Sequence, residues 1–307
     1  MKVLFVSSGN SGNISQIIKA QGNSLQKKGI CIDYFLIKGN GIKGYLRNIP
    51  LLKKKLKKEN YDLVHAHFSL TGYVAALSGA KPLVVSLMGW NVKKTTTRHV
   101  IKLFERIFWD TTIVKSNDMK NGLAIKNVKV IPNGVDFALF KPIDKLKAQQ
   151  KIGWNSNKKH ILFAANPSRP IKNYALAKSA FNRISNGNIE LHLLEDVDHK
   201  EVVYYMNGAD IVLLTSYDEG SPNVIKEAMA CNCQIVTTNV GDVKEIIGQT
   251  EGCYISTFNP DDISNKIMLA LDRNKKTNGR ENIKHLSSEK ISEEIVLLYN
   301  ALKKKTL

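Results

Sequence analysis

Thr215-Ser216-Tyr217-Asp218-Glu219-Gly220-Ser221-Pro222-Asn223-Val224-Ile225-Lys226-Glu227-Ala228-Met229-Ala230 joins a strand exit to a helix start and carries two carboxylates, Glu219 and Glu227, eight residues apart. Ahead of it, Ile211-Val212-Leu213-Leu214 is short, partly β-branched and wholly apolar, the pattern of a strand buried on both faces of a parallel sheet. Behind it, Ser221 has the chemistry of an N-cap and Pro222 that of a first helical residue, so a helix is expected to begin there. Val224 at the third helical position offers no side chain for a capping box, which leaves the amides near Asn223 and Val224 available to an anion. A phosphate on those amides, with Glu219 and Glu227 accepting hydrogen bonds from hydroxyls on either side, fits a sugar diphosphate. An ordinary strand-loop-helix unit with surface acids would show the same local pattern.

The segment resembles the signature of retaining glycosyltransferases of the GT-B fold, in particular glycosyltransferase family 4, whose usual form is E-G-x-x-N-x-x-x-E-A-M-A. The resemblance implies that Glu219 contacts the donor sugar, that Glu227 holds the ribose hydroxyls, and that amides after Glu219, at Gly220, Ser221, Asn223 and Val224, hold the diphosphate.

The chain has 307 residues and 43% hydrophobic content, enough for two domains with their own cores. No uninterrupted apolar run approaches the roughly 20 residues that span a bilayer, and Met1-Lys2-Val3-Leu4-Phe5-Val6 is too short for a signal-peptide core, so a cytoplasmic location is expected. Cys31, Cys231, Cys233 and Cys253 show no paired C-x-x-C spacing and are expected to be reduced, buried small hydrophobes rather than metal ligands.

Charge is uneven. Residues 1–145 hold 24 Lys and Arg against 8 Asp and Glu, whereas residues 146–307 hold 21 against 19. The densest run, Leu51-Leu52-Lys53-Lys54-Lys55-Leu56-Lys57-Lys58, follows Pro50 and suggests a short basic helix with a narrow apolar stripe. It serves either as a solvated face or as a surface for anionic lipid, where each cation contributes roughly 1 kcal/mol. Nucleic acid is not expected as a partner, because the run lacks interleaved aromatics and a recognisable binding module.

Along the first half, Val3-Leu4-Phe5-Val6-Ser7-Ser8 leads into Gly9-Asn10-Ser11-Gly12-Asn13 and a helix through about Lys28, with no G-K-[ST] and no clean dinucleotide fingerprint. Gly12 belongs either to a tight turn that needs glycine or, by the resemblance, to a loop lining the ligand cleft. Further strands are expected at Ile32–Ile37, Leu63–Ala66, Leu83–Leu87, Thr112–Lys115 and Val128–Ile131, alternating with helices as in a mostly parallel sheet. Tyr61-Asp62-Leu63-Val64-His65-Ala66-His67 resembles the family's D-[VI]-[VI]-H-x-H strand end. His65 and His67 share a strand face, and the resemblance points His67 into the cleft toward sugar or phosphate. Their i, i+2 pairing suggests no metal, since no third ligand is evident. Ser86-Leu87-Met88-Gly89-Trp90-Asn91 stands where the family has H-G-x-D, with Met88 and Asn91 replacing its ionisable pair.

Ile131-Pro132-Asn133-Gly134-Val135-Asp136 followed by Phe140-Lys141-Pro142 resembles the family's exit from the first domain, and Asp136 is placed to bind local amides. In the second half, Ile161–Ala165 reads as a buried strand followed by a loop containing Arg169 and Lys172. The family has an Arg and a Lys in this loop that balance the diphosphate as the sugar departs. Ile189–Leu194 is the next strand, and Glu195-Asp196-Val197-Asp198-His199-Lys200 occupies the family's base-binding loop. Gln234–Thr237 is a strand, and Val240-Gly241-Asp242-Val243-Lys244-Glu245-Ile246-Ile247 resembles a V-G-G-x-x-E-I-[IV] turn and helix. Ile291, Ile295, Leu298 and Leu302 fall on one face of a final helix, which in GT-B proteins packs back across the domain junction.

The expected architecture is α/β, two Rossmann-like doubly wound domains of the GT-B type: residues 1–145 on the acceptor side, 146–290 binding the nucleotide sugar, and the helix 291–307. By the resemblance the chain is a retaining, metal-independent glycosyltransferase with no cofactor. It would move a sugar from a UDP- or GDP-type donor to a polysaccharide or lipid-linked glycan, peripheral on the inner face of the membrane through Lys53, Lys54, Lys55, Lys57 and Lys58. The alternatives are a nucleotide-sugar 2-epimerase of the same architecture and a non-catalytic basic adaptor.

Overall fold

The computed structural model describes residues 1–10, 12–89, 95–125, 127–184 and 187–306. The chain divides into two compact units, Met1–Gly134 with Ser288–Leu307, and Val135–Ser287. The division falls after Gly134 rather than at residue 145, and the final helix belongs to the first unit. The charge asymmetry is sharper by unit, with 26 Lys and Arg against 9 Asp and Glu in the first and 19 against 18 in the second.

In the first unit the elements run β1 (Lys2–Ser8), α1 (Gln16–Lys27), β2 (Cys31–Ile37), α2 (Gly41–Leu46), α3 (Asn48–Lys58), β3 (Leu63–His67), α4 (Ser69–Leu77), β4 (Leu83–Ser86), α5 (Thr95–Ile107), β5 (Thr111–Val114), α6 (Asn117–Leu123) and β6 (Val128–Val130). The six strands are all parallel, in the order β2-β1-β3-β4-β5-β6. Strands β3, β4 and β5 are buried throughout, as their unbroken apolar or neutral sequence requires of a sheet covered on both faces. The C-terminal helix Ser288–Thr306 packs on α1, with Ser24 Oγ donating to the Ser288 carbonyl at 2.8 Å and Lys28 paired with Glu293 at 2.8 Å. Its inward face carries Ile291, Ile295, Tyr299 and Leu302, so the fully buried Tyr299 sits on the stripe beside a half-buried Leu298.

The second unit continues with α7 (Lys145–Ile152), β7 (Lys159–Phe163), a 3-10 turn (Pro170–Lys172), α8 (Tyr174–Asn182), β8 (Ile189–Leu193), α9 (Val202–Gly208), β9 (Ile211–Leu214), α10 (Asn223–Ala230), β10 (Gln234–Thr238), α11 (Val243–Ile247), β11 (Cys253–Ser256), α12 (Pro260–Arg273) and α13 (Gly279–Asn282). Its parallel sheet runs β11-β10-β9-β7-β8. Renumbered from its own first strand, that is 2-1-3-4-5, the same winding as the first unit. Each sheet therefore reverses direction once, between β1 and β3 and between β7 and β9, and ligands of doubly wound sheets bind beyond the carboxyl ends at this switch.

Cys231 and Cys233 are buried as expected, but Cys31 is exposed and Cys253 only half-buried. Cys31 opens β2, an edge strand of the first sheet, where one side has no neighbouring strand to cover it.

Candidate active site

The loops that leave β7 and β9 flank the switch point of the second unit, and they are stitched together. Thr215 Oγ1, just past β9, donates to the carbonyls of Lys172 at 3.2 Å and Asn173 at 2.9 Å, and the Tyr217 amide donates to the Ile171 carbonyl at 2.9 Å. Asn173 holds φ 52, a left-handed turn residue that ends the 3-10 turn and releases the chain into α8. The result aims Lys172 at Glu219: Nζ lies 2.5 Å from Oε1, with the two side chains 13% and 17% exposed. Ser216 Oγ donates to the same carboxylate oxygen at 2.8 Å. Arg169, three residues earlier, is exposed at the rim of the loop.

Helix α10 starts one residue later than the sequence suggests. Pro222, with φ -70 and ψ 113, is the cap, Asn223 is the first helical residue, and no side chain caps the end. Ser221 does not cap: its hydroxyl is buried and has no hydrogen-bond partner among the described residues. Both settings leave the N-terminal turn without a capping side chain, so the positive end of the helix remains a place for an anion. Behind it, Lys226 is fully buried; burial pulls its ammonium down to about 8 against the opposing pull of Asp242 and Glu227. Burial likewise raises the Asp242 carboxyl, while Lys226 and Ser221 draw it back. The burial of Lys226, and its electrostatic attraction to Asp242, were not signalled by the sequence.

Glu227, one turn further along, accepts from His199 Nε2 at 3.1 Å. That hydrogen bond raises the His199 imidazole above its ordinary value, with burial opposing it. His199 belongs to the loop assigned to base binding, and nothing in its sequence marks it as the partner of Glu227. Gly241 closes the site from β10: at φ +57, an added Cβ would stand 2.8 Å from the Gly220 carbonyl oxygen and 2.9 Å from that of Glu219. Only glycine permits that approach.

In the first unit the loop after β1 turns through Gly12 at φ +85, exposed and with open space where a Cβ would be, and the Gly12 amide donates to the Gly9 carbonyl at 3.0 Å. His67 ends β3 but is fully buried, stacked on His65 at 4.3 Å between ring centroids and edge-on to Phe5 at 4.6 Å. Neither of its ring nitrogens has a hydrogen-bond partner among the described residues, and burial lowers the imidazole to about 3. His67 is thus enclosed by its neighbours, because β3 is a central strand packed on both faces. His65 is satisfied instead, by Tyr299 Oη at 2.5 Å and Ser86 Oγ at 2.8 Å. Met88 and Gly89 precede a segment in which Trp90 and Asn91 lie outside the described residues. Asp136 binds the amides of Ala138 at 2.9 Å and Leu139 at 3.2 Å, as its sequence position suggests.

Two sequence families match this chain: Glycosyltransferase Family 4 over residues 21–139 and Glycosyl transferases group 1 over residues 184–285. The chain belongs to glycosyltransferase family 4. It is 26% identical to the UDP-Gal:alpha-D-GlcNAc-diphosphoundecaprenol alpha-1,3-galactosyltransferase of Escherichia coli over 80% of each chain. It is 25% identical to the putative teichuronic acid biosynthesis glycosyltransferase TuaC of Bacillus subtilis, over 67% of this chain and 60% of that one. Among solved structures, the sucrose-phosphate synthase of Thermosynechococcus elongatus superposes with a TM-score of 0.87 at 17% identity, over 98% of this chain and 99% of the other. Anabaena Alr3699/HepE in complex with UDP and glucose gives 0.79 at 17% identity, over 98% and 99%. The two parallel-sheet units are those of the GT-B fold, and as a family 4 protein the chain is a glycosyltransferase that uses nucleotide sugars. The match favours neither the epimerase nor the adaptor reading.

Among the described residues no helix is long and apolar enough to cross a membrane.

Proposed function

We propose that this family 4 enzyme is a retaining, metal-independent glycosyltransferase that takes its sugar from a UDP- or GDP-type donor, UDP being favoured, and passes it to a polysaccharide or lipid-linked glycan. The observation that carries the reading is the Lys172–Glu219 pair at the β7/β9 switch point, beside an uncapped helix N-terminus. A carboxylate is suited to the hydroxyls of the transferred sugar, whereas an ammonium is suited to the phosphate leaving it. Glu219 takes the first role. Lys172 and Arg169 take the second, with the amides of Gly220, Ser221, Asn223 and Val224 supplying further donors. Glu227 accepts the ribose hydroxyls, and Gly12 lines the acceptor side.

Cationic side chains at the diphosphate do the work a divalent metal does elsewhere, stabilising charge as it develops on the leaving group. Front-face attack with a phosphate oxygen taking the acceptor proton needs no side-chain base. The donor preference draws on relatives: an E. coli protein that uses UDP-Gal with a diphosphoundecaprenol-linked acceptor, and HepE solved with UDP-glucose. A lipid-linked acceptor also suits the basic first unit. On α3, Lys53, Lys54, Lys57 and Lys58 are exposed, while Lys55 is partly occupied by Glu59 at 2.9 Å. These lysines are suited to the anionic cytoplasmic leaflet.

Screening nucleotide sugars for thermal stabilisation tests the donor, since a ligand bound only by the folded state raises the melting temperature. A UDP-sugar is expected to stabilise without added metal, and UDP to be released only when acceptor is present. Appearance of a 2-epimer without acceptor would overturn the reading in favour of an epimerase. For the membrane contact, co-sedimentation with phosphatidylserine vesicles should fall when Lys53, Lys54, Lys57 and Lys58 are replaced together by Gln; unchanged sedimentation removes that part of the proposal.

A further inference from the structure

On β7 and β8, away from the loops that carry Lys172 and Glu219, three metal-ligating side chains converge. His160 lies on β7, Glu190 and His192 on β8, and the strand register sets His160 opposite Glu190 with His192 two residues on, on the same face. His160 Nδ1 is 2.9 Å from His192 Nε2, and Glu190 Oε2 is 3.6 Å from the first and 3.5 Å from the second. Four ligands at the zinc distances of about 2.0–2.2 Å lie about 3.3 Å from one another on a tetrahedron, so these three atoms already trace one of its faces.

The surroundings favour the ligand state. His160, fully buried, has its other nitrogen, Nε2, 2.8 Å from the Asn155 carbonyl, which requires a proton there and leaves Nδ1 as a bare lone pair. A histidine fixed through its second nitrogen to a backbone carbonyl is the usual support of a metal-bound imidazole. Trp154 stacks on His192 at 3.8 Å and on His160 at 4.8 Å between centroids, holding both rings by their faces and leaving their edges to converge. Lys158 occupies the other oxygen of Glu190 at 2.6 Å, which turns Oε2 toward the imidazoles. The hydrogen now shared between the rings comes from His192 Nε2; moving it to Nδ1 frees the second lone pair with no change in net charge. His192 and Glu190 are 21% and 34% exposed, so an ion can enter from solvent.

We propose that His160, Glu190 and His192 bind one transition-metal ion, Zn2+ or a similar divalent cation that accepts imidazole, with water at the remaining position. Two nitrogens and one oxygen suit Zn2+, Ni2+ or Cu2+ and disfavour Mg2+ and Ca2+. The ion would clip the β7–β8 edge and the Trp154 loop of the second unit together, stabilising it without entering sugar transfer. The site is independent of the donor assignment.

The test is Zn2+ binding by the full-length, chelator-treated protein, measured by calorimetry, with Co2+ absorption as a report on coordination. One ion per chain is expected, a tetrahedral Co2+ spectrum, and a melting temperature raised by Zn2+ but not by Mg2+. His192→Gln and Glu190→Gln, both partly exposed and so least disruptive to folding, should each weaken binding on the order of tenfold or more, at least what loss of an outer-shell partner costs. His285→Gln, at an exposed histidine elsewhere in the same unit, should leave it unchanged. Absence of saturable binding by the wild-type protein, or stoichiometric binding retained by both variants, would overturn the proposal.

Discussion

Lys172 Nζ lies 2.5 Å from Glu219 Oε1, and both side chains are largely withdrawn from solvent. The pair joins the loop after β7 to the loop after β9, 47 residues apart. Each therefore satisfies the other; in the proposed complex each turns to its own part of the donor.

Lys172→Ala removes the cation nearest Glu219 and leaves a partly buried carboxylate without it. The turnover rate should fall by on the order of 10²–10³, the range for loss of one preorganised charge-stabilising group. Glu219→Gln should also fall, and the double variant should lose less than the product of the two, because paired residues are not additive. Steady-state kinetics on the four proteins checks this; fully multiplicative losses would show that the two act separately.

Gly241→Ala tests the close approach beneath the donor loop. A Cβ at φ +57, set 2.8 Å from the Gly220 oxygen, forces the backbone of residues 219–220 to move. The strain costs about 1–3 kcal/mol. Thermal unfolding should show the loss, and donor binding should fall further than the stability change alone accounts for.

His199 should make the second unit's stability depend on pH. Its folded value is raised by Glu227, so the pair's contribution is fully present below the unfolded value near 6.5. It is lost as pH rises through the raised folded value. Melting temperature against pH for wild type and His199→Gln should diverge on the acid side of neutrality and converge above it.

Tyr299→Phe deletes the hydroxyl bound to His65 Nδ1 inside the first unit. Both residues are fully buried, so His65 loses a partner that water does not replace. Destabilisation of about 1–3 kcal/mol is expected in chemical denaturation, the cost of stranding a buried polar group.

The strands, their parallel alternation with helices and the carboxylate pair at 219 and 227 were legible in the sequence, because short apolar runs and cap chemistry are local signals. The two histidines of β3 were placed on one face correctly, since alternation along a strand is local too. Their burial was not legible: it depends on Phe5, 62 residues from His67, and on Tyr299, 234 residues from His65 along the chain. The start of α10 moved by a residue because Pro222 holds an extended ψ of 113 and so stands outside the helix as its cap, a backbone setting that cap propensities do not record.

Sequence alone thus determined the fold class, the family and the positions of Glu219, Glu227, Arg169 and Lys172, whose meaning lies in short motifs. Tertiary structure decided which of them meet, that Lys172 engages Glu219, that His199 engages Glu227 and that His160, Glu190 and His192 converge. The reason is physical: strand register and loop stitching bring together groups 28 to 47 residues apart, and no periodicity in a linear sequence records such pairings.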